Sequence, residues 1–176
     1  MCAYRKLLQA LRLLNQAGYL VLIYLHFDAL QLLGLIAYYD QQYERAAQLM
    51  DRAIAVNPNM PVVHNNRALV YKALHQLPQA RVCLERAIQI MPHFTEALSN
   101  LGLVLHDLKL PQEALQVLDV ALQLQPDHID ASNNRGLALQ QLWRWPEALQ
   151  CFDRALQLNP QHLHAHNNRG MALYQL

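Results

Sequence analysis

Cysteine is nearly missing from this chain of 176 residues. The three present, Cys2, Cys83 and Cys151, are odd in number and far apart, which excludes a disulfide framework. Such usage fits a reducing, cytoplasmic setting. An excess of either charge is missing too: 14 Lys and Arg stand against 13 Asp and Glu, a formal net charge of +1. So weak an overall field gives no reason to expect a nucleic-acid partner or an anionic membrane surface. The apolar run "YLVLIYLHF" at 19–27 is too short to span a bilayer. It is read as core; the alternative, a signal or membrane segment, has against it a late position and no convincing cleavage site. No phosphate-cradling glycine loop, HExxH, GxSxG or CxxC occurs, so no catalytic residue is nominated and no cofactor is called for.

What the chain does have is apolar material, 53% of residues, with only 15% charged. That is enough for a packed core. It also has a period. Pro58, Pro92, Pro126 and Pro160 are each 34 residues apart. Two alanine series keep the same step, Ala46, Ala80, Ala114, Ala148 and Ala53, Ala87, Ala121, Ala155, and a large apolar residue sits within each pair: Met50, Leu84, Leu118, Phe152. Glycine recurs at Gly34, Gly102, Gly136 and Gly170, with Ala68 in its place once. A repeat of this length predicts a solenoid. Each unit reads as two helices, because apolar and small residues fall at helical spacing in both "DASNNRGLALQQL" and "PEALQCFDRALQL". Pro146 sits at a helix start, where its missing N–H is harmless, and Pro160 closes the helix that follows.

The order Leu-Gly, Ala, large apolar, Ala, Pro at this spacing resembles the tetratricopeptide repeat, and "LGLIAYYDQQYERAAQLMDRAIAVNP" (33–58) follows that pattern throughout. The resemblance implies an all-α fold, a right-handed α-solenoid of antiparallel helix pairs. It places whole repeats at 27–60, 61–94, 95–128 and 129–162, with 163–176 matching the first helix of a fifth. Residues 1–26 read as a degenerate helical cap, as terminal repeats often do. The apolar "GMALYQL" lacks a cap's polar outer face, so the chain reads as a fragment of something longer, and its last helix is expected to fray or to self-associate. Two departures stand out. The family often has glycine in the turn within each repeat, where this chain has Gln41, His75, Lys109 and Trp143, so those turns are expected to be different or strained. At the seventh position, usually Leu, stand Arg67, Arg135 and Arg169; their stems should cover apolar surface while the heads find an acid or a carbonyl. Asp51–Arg52, Glu85–Arg86 and Asp153–Arg154 read as a solvated face of the second helices.

Few residues suggest a ligand. Within "HLHAH", His162 and His166 are four apart and could share a face as metal ligands, yet no carboxylate or cysteine accompanies them. His128 and His64 hold the same repeat positions, so repetition explains them and no metal is expected. Cys83 and Cys151 read as buried small residues. Trp143 and Trp145 flank Arg144 in a turn; Trp145 is expected to pack, and Trp143 is the freer to anchor a partner.

The asparagines are the sharpest signal. Asn66, Asn100, Asn134 and Asn168 share the sixth position, which the family resemblance places toward the concave groove; Leu32 stands there in the first repeat. An asparagine both donates and accepts, matching a peptide's backbone amide. Such a ladder resembles the repeat region of O-linked N-acetylglucosamine transferases, including bacterial proteins of that type. Asn65 and Asn133 beside it complete the candidate peptide-binding set. A carboxylate-clamp groove would need lysine at the fifth position, which instead holds Asn65, Ser99, Asn133 and Asn167. The reading is a non-catalytic scaffold that takes a protein or extended peptide in its groove. The alternative is the substrate-recognition arm of a longer glycosyltransferase. With Leu69, Leu103, Leu137, Met171, His106 and Gln140 beside the asparagines, the groove is expected to be nearly neutral and its binding only weakly salt-dependent.

Overall fold

The computed structural model describes residues 21–176. Cys2 and most of the segment 1–26 assigned to a cap therefore lie outside the described residues. Among the described residues are nine helices and no strand: α1 Val21–Tyr39, α2 Tyr43–Val56, α3 Pro61–Ala73, α4 Leu77–Ile90, α5 Thr95–Asp107, α6 Pro111–Leu124, α7 Ile129–Gln141, α8 Trp145–Leu158 and α9 Leu163–Gln175. Helix α1 runs without interruption past residue 26, into the first repeat.

Each helix packs against its neighbours in sequence, and in addition α1 meets α3, α3 meets α5, α5 meets α7 and α7 meets α9. The second helices make no such contacts with one another. A stack drawn together along one row of helices and spread along the other must curve, and the first helices form its inner wall. The core is accordingly a strip, divided into three successive clusters. The alanine series and the large residues between them, from Ala46, Met50 and Ala53 to Ala148, Phe152 and Ala155, have no exposed surface.

Within a repeat the two helices approach most closely at the eighth position. A Cβ on Gly102 would run into the Leu118 side chain, and one on Gly136 into the Phe152 ring. The same residue pair in the first repeat is looser, with Met50 Cγ 3.1 Å from a Cβ on Gly34. At Gly170 nothing lies within 4 Å. Glycine is therefore required where a leucine or phenylalanine from the second helix fills the place of its side chain, and it merely weakens α9.

The four turns that lack glycine share one geometry. Gln41, His75, Lys109 and Trp143 have φ of 61°, 59°, 64° and 61°, in the left-handed region. The residue after each reaches back across the helix end: Gln42 N–H to Ala37 O (2.8 Å), Gln76 N–H to Tyr71 O (2.8 Å), Leu110 N–H to Leu105 O (2.9 Å) and Arg144 N–H to Leu139 O (3.0 Å). This is a Schellman cap, which satisfies the last carbonyls of each first helix. The difference anticipated at these turns is thus conformational strain in the side-chain-bearing residue rather than another turn type.

Replacing Lys109, whose side chain is exposed, by glycine should stabilise the chain by about 1 kcal/mol, read as a higher urea midpoint with an unchanged slope. An alanine pair tests the helix contact: Gly136→Ala should destabilise by about 1–3 kcal/mol through overpacking against Phe152, whereas Gly170→Ala should stabilise by about 1 kcal/mol. Equal effects at both positions would contradict the contact.

Candidate concave binding site

The inner wall borders a cavity of about 430 Å³, lined by residues of α3, α5, α7 and α9 together with His162. Asn100, Asn133, Asn134 and Asn168 all reach it, with Ser99 beside them; Asn66 and Asn65 are not among its lining residues. The repeats are tied together there by side-chain amides. Asn100 Nδ2 donates to Asn65 Oδ1 (2.9 Å), and Asn168 Nδ2 to Asn133 Oδ1 (2.9 Å). Asn134 Nδ2 donates to the Ser99 carbonyl and hydroxyl oxygens (both 3.3 Å), while its Oδ1 accepts from Asn133 (3.4 Å). Gln141 Nε2 likewise reaches His106 O (3.0 Å). The sixth-position amide of one repeat thus holds the fifth-position residue of the repeat before it.

These bonds sort the asparagines by what is left over. Asn65, Asn133 and Asn134 are buried, and the bonds just described engage each of them. Asn100 and Asn168 are half-buried, line the cavity and spend a donor on the neighbouring repeat, and among the described residues no protein donor meets either Oδ1. Asn66 is half-buried and makes no such tie among the described residues; Gln31 stands at the corresponding fifth position.

Histidines set the inter-repeat turns. His128 Nδ1 accepts the Ala131 N–H (3.1 Å) and His162 Nδ1 the Ala165 N–H (3.0 Å), so each caps a first helix. A ring whose Nδ1 accepts carries its hydrogen on Nε2; His162 Nε2 then lies 3.2 Å from Asp130 and His128 Nε2 3.7 Å from Glu96. His64 and His166 donate through Nε2 to the Pro58 and Pro160 carbonyls (2.9 and 2.8 Å). Among the described residues no group of three or more His, Cys, Asp or Glu could hold a metal ion. The caps were not foreseen, since the sequence places His128 and His162 in loops and gives no sign of which nitrogen is engaged.

The seventh-position arginines do find acids, one repeat earlier. Arg67 pairs with Asp51 (2.6 Å), Arg135 with Asp119 (2.7 Å) and Arg169 with Asp153. Asp51 and Asp153 therefore link repeats rather than forming a free solvated face with Arg52 and Arg154. The third repeat has Leu101 at that position, and Glu85, left without an arginine there, pairs with Arg81 (2.7 Å). The same guanidinium groups approach sulfur: Arg135 Nη1 lies 3.1 Å from Cys151 Sγ and Arg67 Nη1 3.9 Å from Cys83 Sγ. Both cysteines are free and buried, and burial pushes their thiols up against the pull of the arginines. Neither is an activated nucleophile. Trp145 packs on the last core cluster; Trp143 is 76% exposed and meets it edge to face at 5.8 Å.

Two tetratricopeptide repeat family models match the chain, one over residues 65–129 and the other over 129–162, together more than half of it. The chain belongs to the tetratricopeptide repeat family. Its fold is shared by solved structures of low sequence identity. PilF of Pseudomonas aeruginosa has a TM-score of 0.79 at 24% identity, over 87% of this chain and 70% of that one. YrrB, described as a tetratricopeptide repeat protein with an unusual peptide-binding site, has a TM-score of 0.70 at 23% identity, over 82% and 73%. The first such domain of Spaghetti (RPAP3), solved with an HSP90 peptide, has a TM-score of 0.62 at 21% identity, over 65% and 90%. No curated protein matches the chain. Among the described residues no helix is long and apolar enough to cross a membrane.

Proposed function

We propose that this chain is a protein-interaction scaffold that holds an extended peptide segment along its concave wall. The observation that carries the reading is the open Oδ1 of Asn100 and of Asn168, two repeats apart in one cavity, each fixed by an inter-repeat bond from its own Nδ2. An immobilised carbonyl can accept a backbone N–H with little ordering cost. Asn133 and Asn134 act beneath them, holding the wall in register, and Asn65 does the same for Asn100. Asn66 extends the row toward the first repeat. One protein of this fold solved with a peptide, and another described as having a peptide-binding site, support the class of ligand, and neither identifies a partner. A substrate-selecting arm of a longer glycosyltransferase would use the same wall; the scaffold reading requires no attached domain. The sparse, buried thiols are consistent with a cytoplasmic setting.

The test separates binding from folding. In a peptide-array pull-down, Asn100→Ala with Asn168→Ala should weaken capture by about 1–3 kcal/mol in total at two neutral hydrogen bonds. The variant should keep its helicity by circular dichroism. Unchanged capture by a folded variant would leave the asparagines with a purely structural role.

A second reading concerns α9. Where Gly102 and Gly136 are filled by Leu118 and Phe152, Gly170 faces open space, and Met171, Leu173 and Tyr174 beside it are 58%, 46% and 87% exposed. This face is a surface for self-association between two copies. Sedimentation should show a concentration-dependent dimer that Met171→Glu disperses; a monomer at all concentrations would rule the contact out.

A further inference from the structure

We propose that the groove selects a basic segment with regularly spaced apolar side chains and discriminates against acidic ones. The inference rests on the concave wall being the binding face and names the chemistry of what it takes. Along that wall Leu69, Leu103 and Leu137 recur once per repeat, half-buried and facing the same cavity as the asparagines. Packed helices lie about 8–10 Å apart, and a segment in the polyproline II conformation advances about 3.1 Å per residue with three residues per turn, so that every third side chain lies on one face. Every third side chain of a bound segment therefore meets a leucine.

The edge of the cavity carries the charge. Glu96 and Asp130 both hold the second position of their repeats and both line it, with side chains 57% and 67% exposed. Their histidine neighbours do not cancel them. The Nδ1 atoms of His128 and His162 are occupied by backbone N–H groups, so each ring meets its carboxylate through Nε2–H as a neutral donor. Lys72 is the one lysine or arginine among the lining residues, and its ammonium lies 4.0 Å from Asp107. The balance facing a ligand is negative, although the whole chain carries +1. Expectation of a nearly neutral groove came from the residues adjoining the asparagines on the same helical face; the carboxylates enter from the helix starts. Salt should weaken binding accordingly.

Both carboxylates stand one repeat apart, so they address side chains three residues apart on an extended segment. The matching ligand has leucine at every third position, each followed by lysine or arginine.

The experiment uses fluorescein-labelled peptides of that form in lysine, glutamine and glutamate versions, measured by fluorescence anisotropy against three proteins. These are the unaltered chain, Glu96→Gln with Asp130→Asn, and Asn100→Ala with Asn168→Ala, each checked for helicity. The lysine peptide should bind the unaltered chain about three- to tenfold more tightly than the glutamine peptide, the range that two exposed ion pairs provide. The glutamate peptide should bind most weakly. High salt and the Glu96→Gln, Asp130→Asn variant should each bring the three together. Equal binding of all three by the unaltered chain, or a lysine preference that survives in the carboxylate variant, would overturn the selection. If that occurs while the asparagine variant binds more weakly, the groove reading stands alone. If no version binds the unaltered chain, or if the asparagine variant binds as tightly as the unaltered chain, the groove reading falls as well.

Discussion

Two helices can lie side by side at the separation this fold needs only if one of them gives up a side chain at the point of closest approach. In the four whole repeats, glycine or alanine at the eighth position of the first helix meets Met50, Leu84, Leu118 or Phe152 of the second, and the flanking alanines let the backbones draw together. That contact sets the pair geometry. Once it recurs at a fixed period, the stacking of pairs follows, and with it an inner wall made only of first helices. Exchanging Leu118 for Phe152 between repeats changes the filler without changing the arrangement, since both occupy space that glycine leaves.

Polar groups then hold one pair to the next. The ties run between fixed positions: arginine to the aspartate of the preceding repeat, and asparagine to asparagine or serine one position earlier in the repeat below. A buried asparagine without a partner is destabilising, so the amides at the centre of the wall are spent on the fold. Those at its surface retain an acceptor. On the proposed reading, binding uses what the inter-repeat network leaves unsatisfied, foremost at Asn100 and Asn168.

Much of this arrangement was legible from the residues alone. Prolines gave the period, and the alanine series proved to be core without exposed surface, because a stripe at helical spacing has few other uses. The arginine heads found acids as their position within apolar helices required, though two of those acids, Asp51 and Asp153, had been read as surface charge: adjacent residues of opposite sign suggest a solvated face, and a partner sixteen residues away in sequence does not announce itself. The left-handed turn residues could be flagged as departures but not explained, since a Schellman cap is defined by backbone bonds. The histidine caps and the carboxylate edge were missed for a related reason. Both lie at the starts of the first helices, outside the apolar periodicity, and only stacking of successive repeats brings Glu96 to His128 and Asp130 to His162. The cap assigned to residues 1–26 falls mostly outside the described structure.

Most directly at stake is whether the wall of first helices is the binding face. Heteronuclear NMR of the chain titrated with the leucine–lysine peptide would decide it. The account predicts saturable shifts in the side-chain amides of Asn100 and Asn168 and in the methyl groups of Leu69, Leu103 and Leu137, with little change at Cys83, Cys151 or Trp143. Shifts confined to the second helices, or to the open face around Gly170, would contradict it.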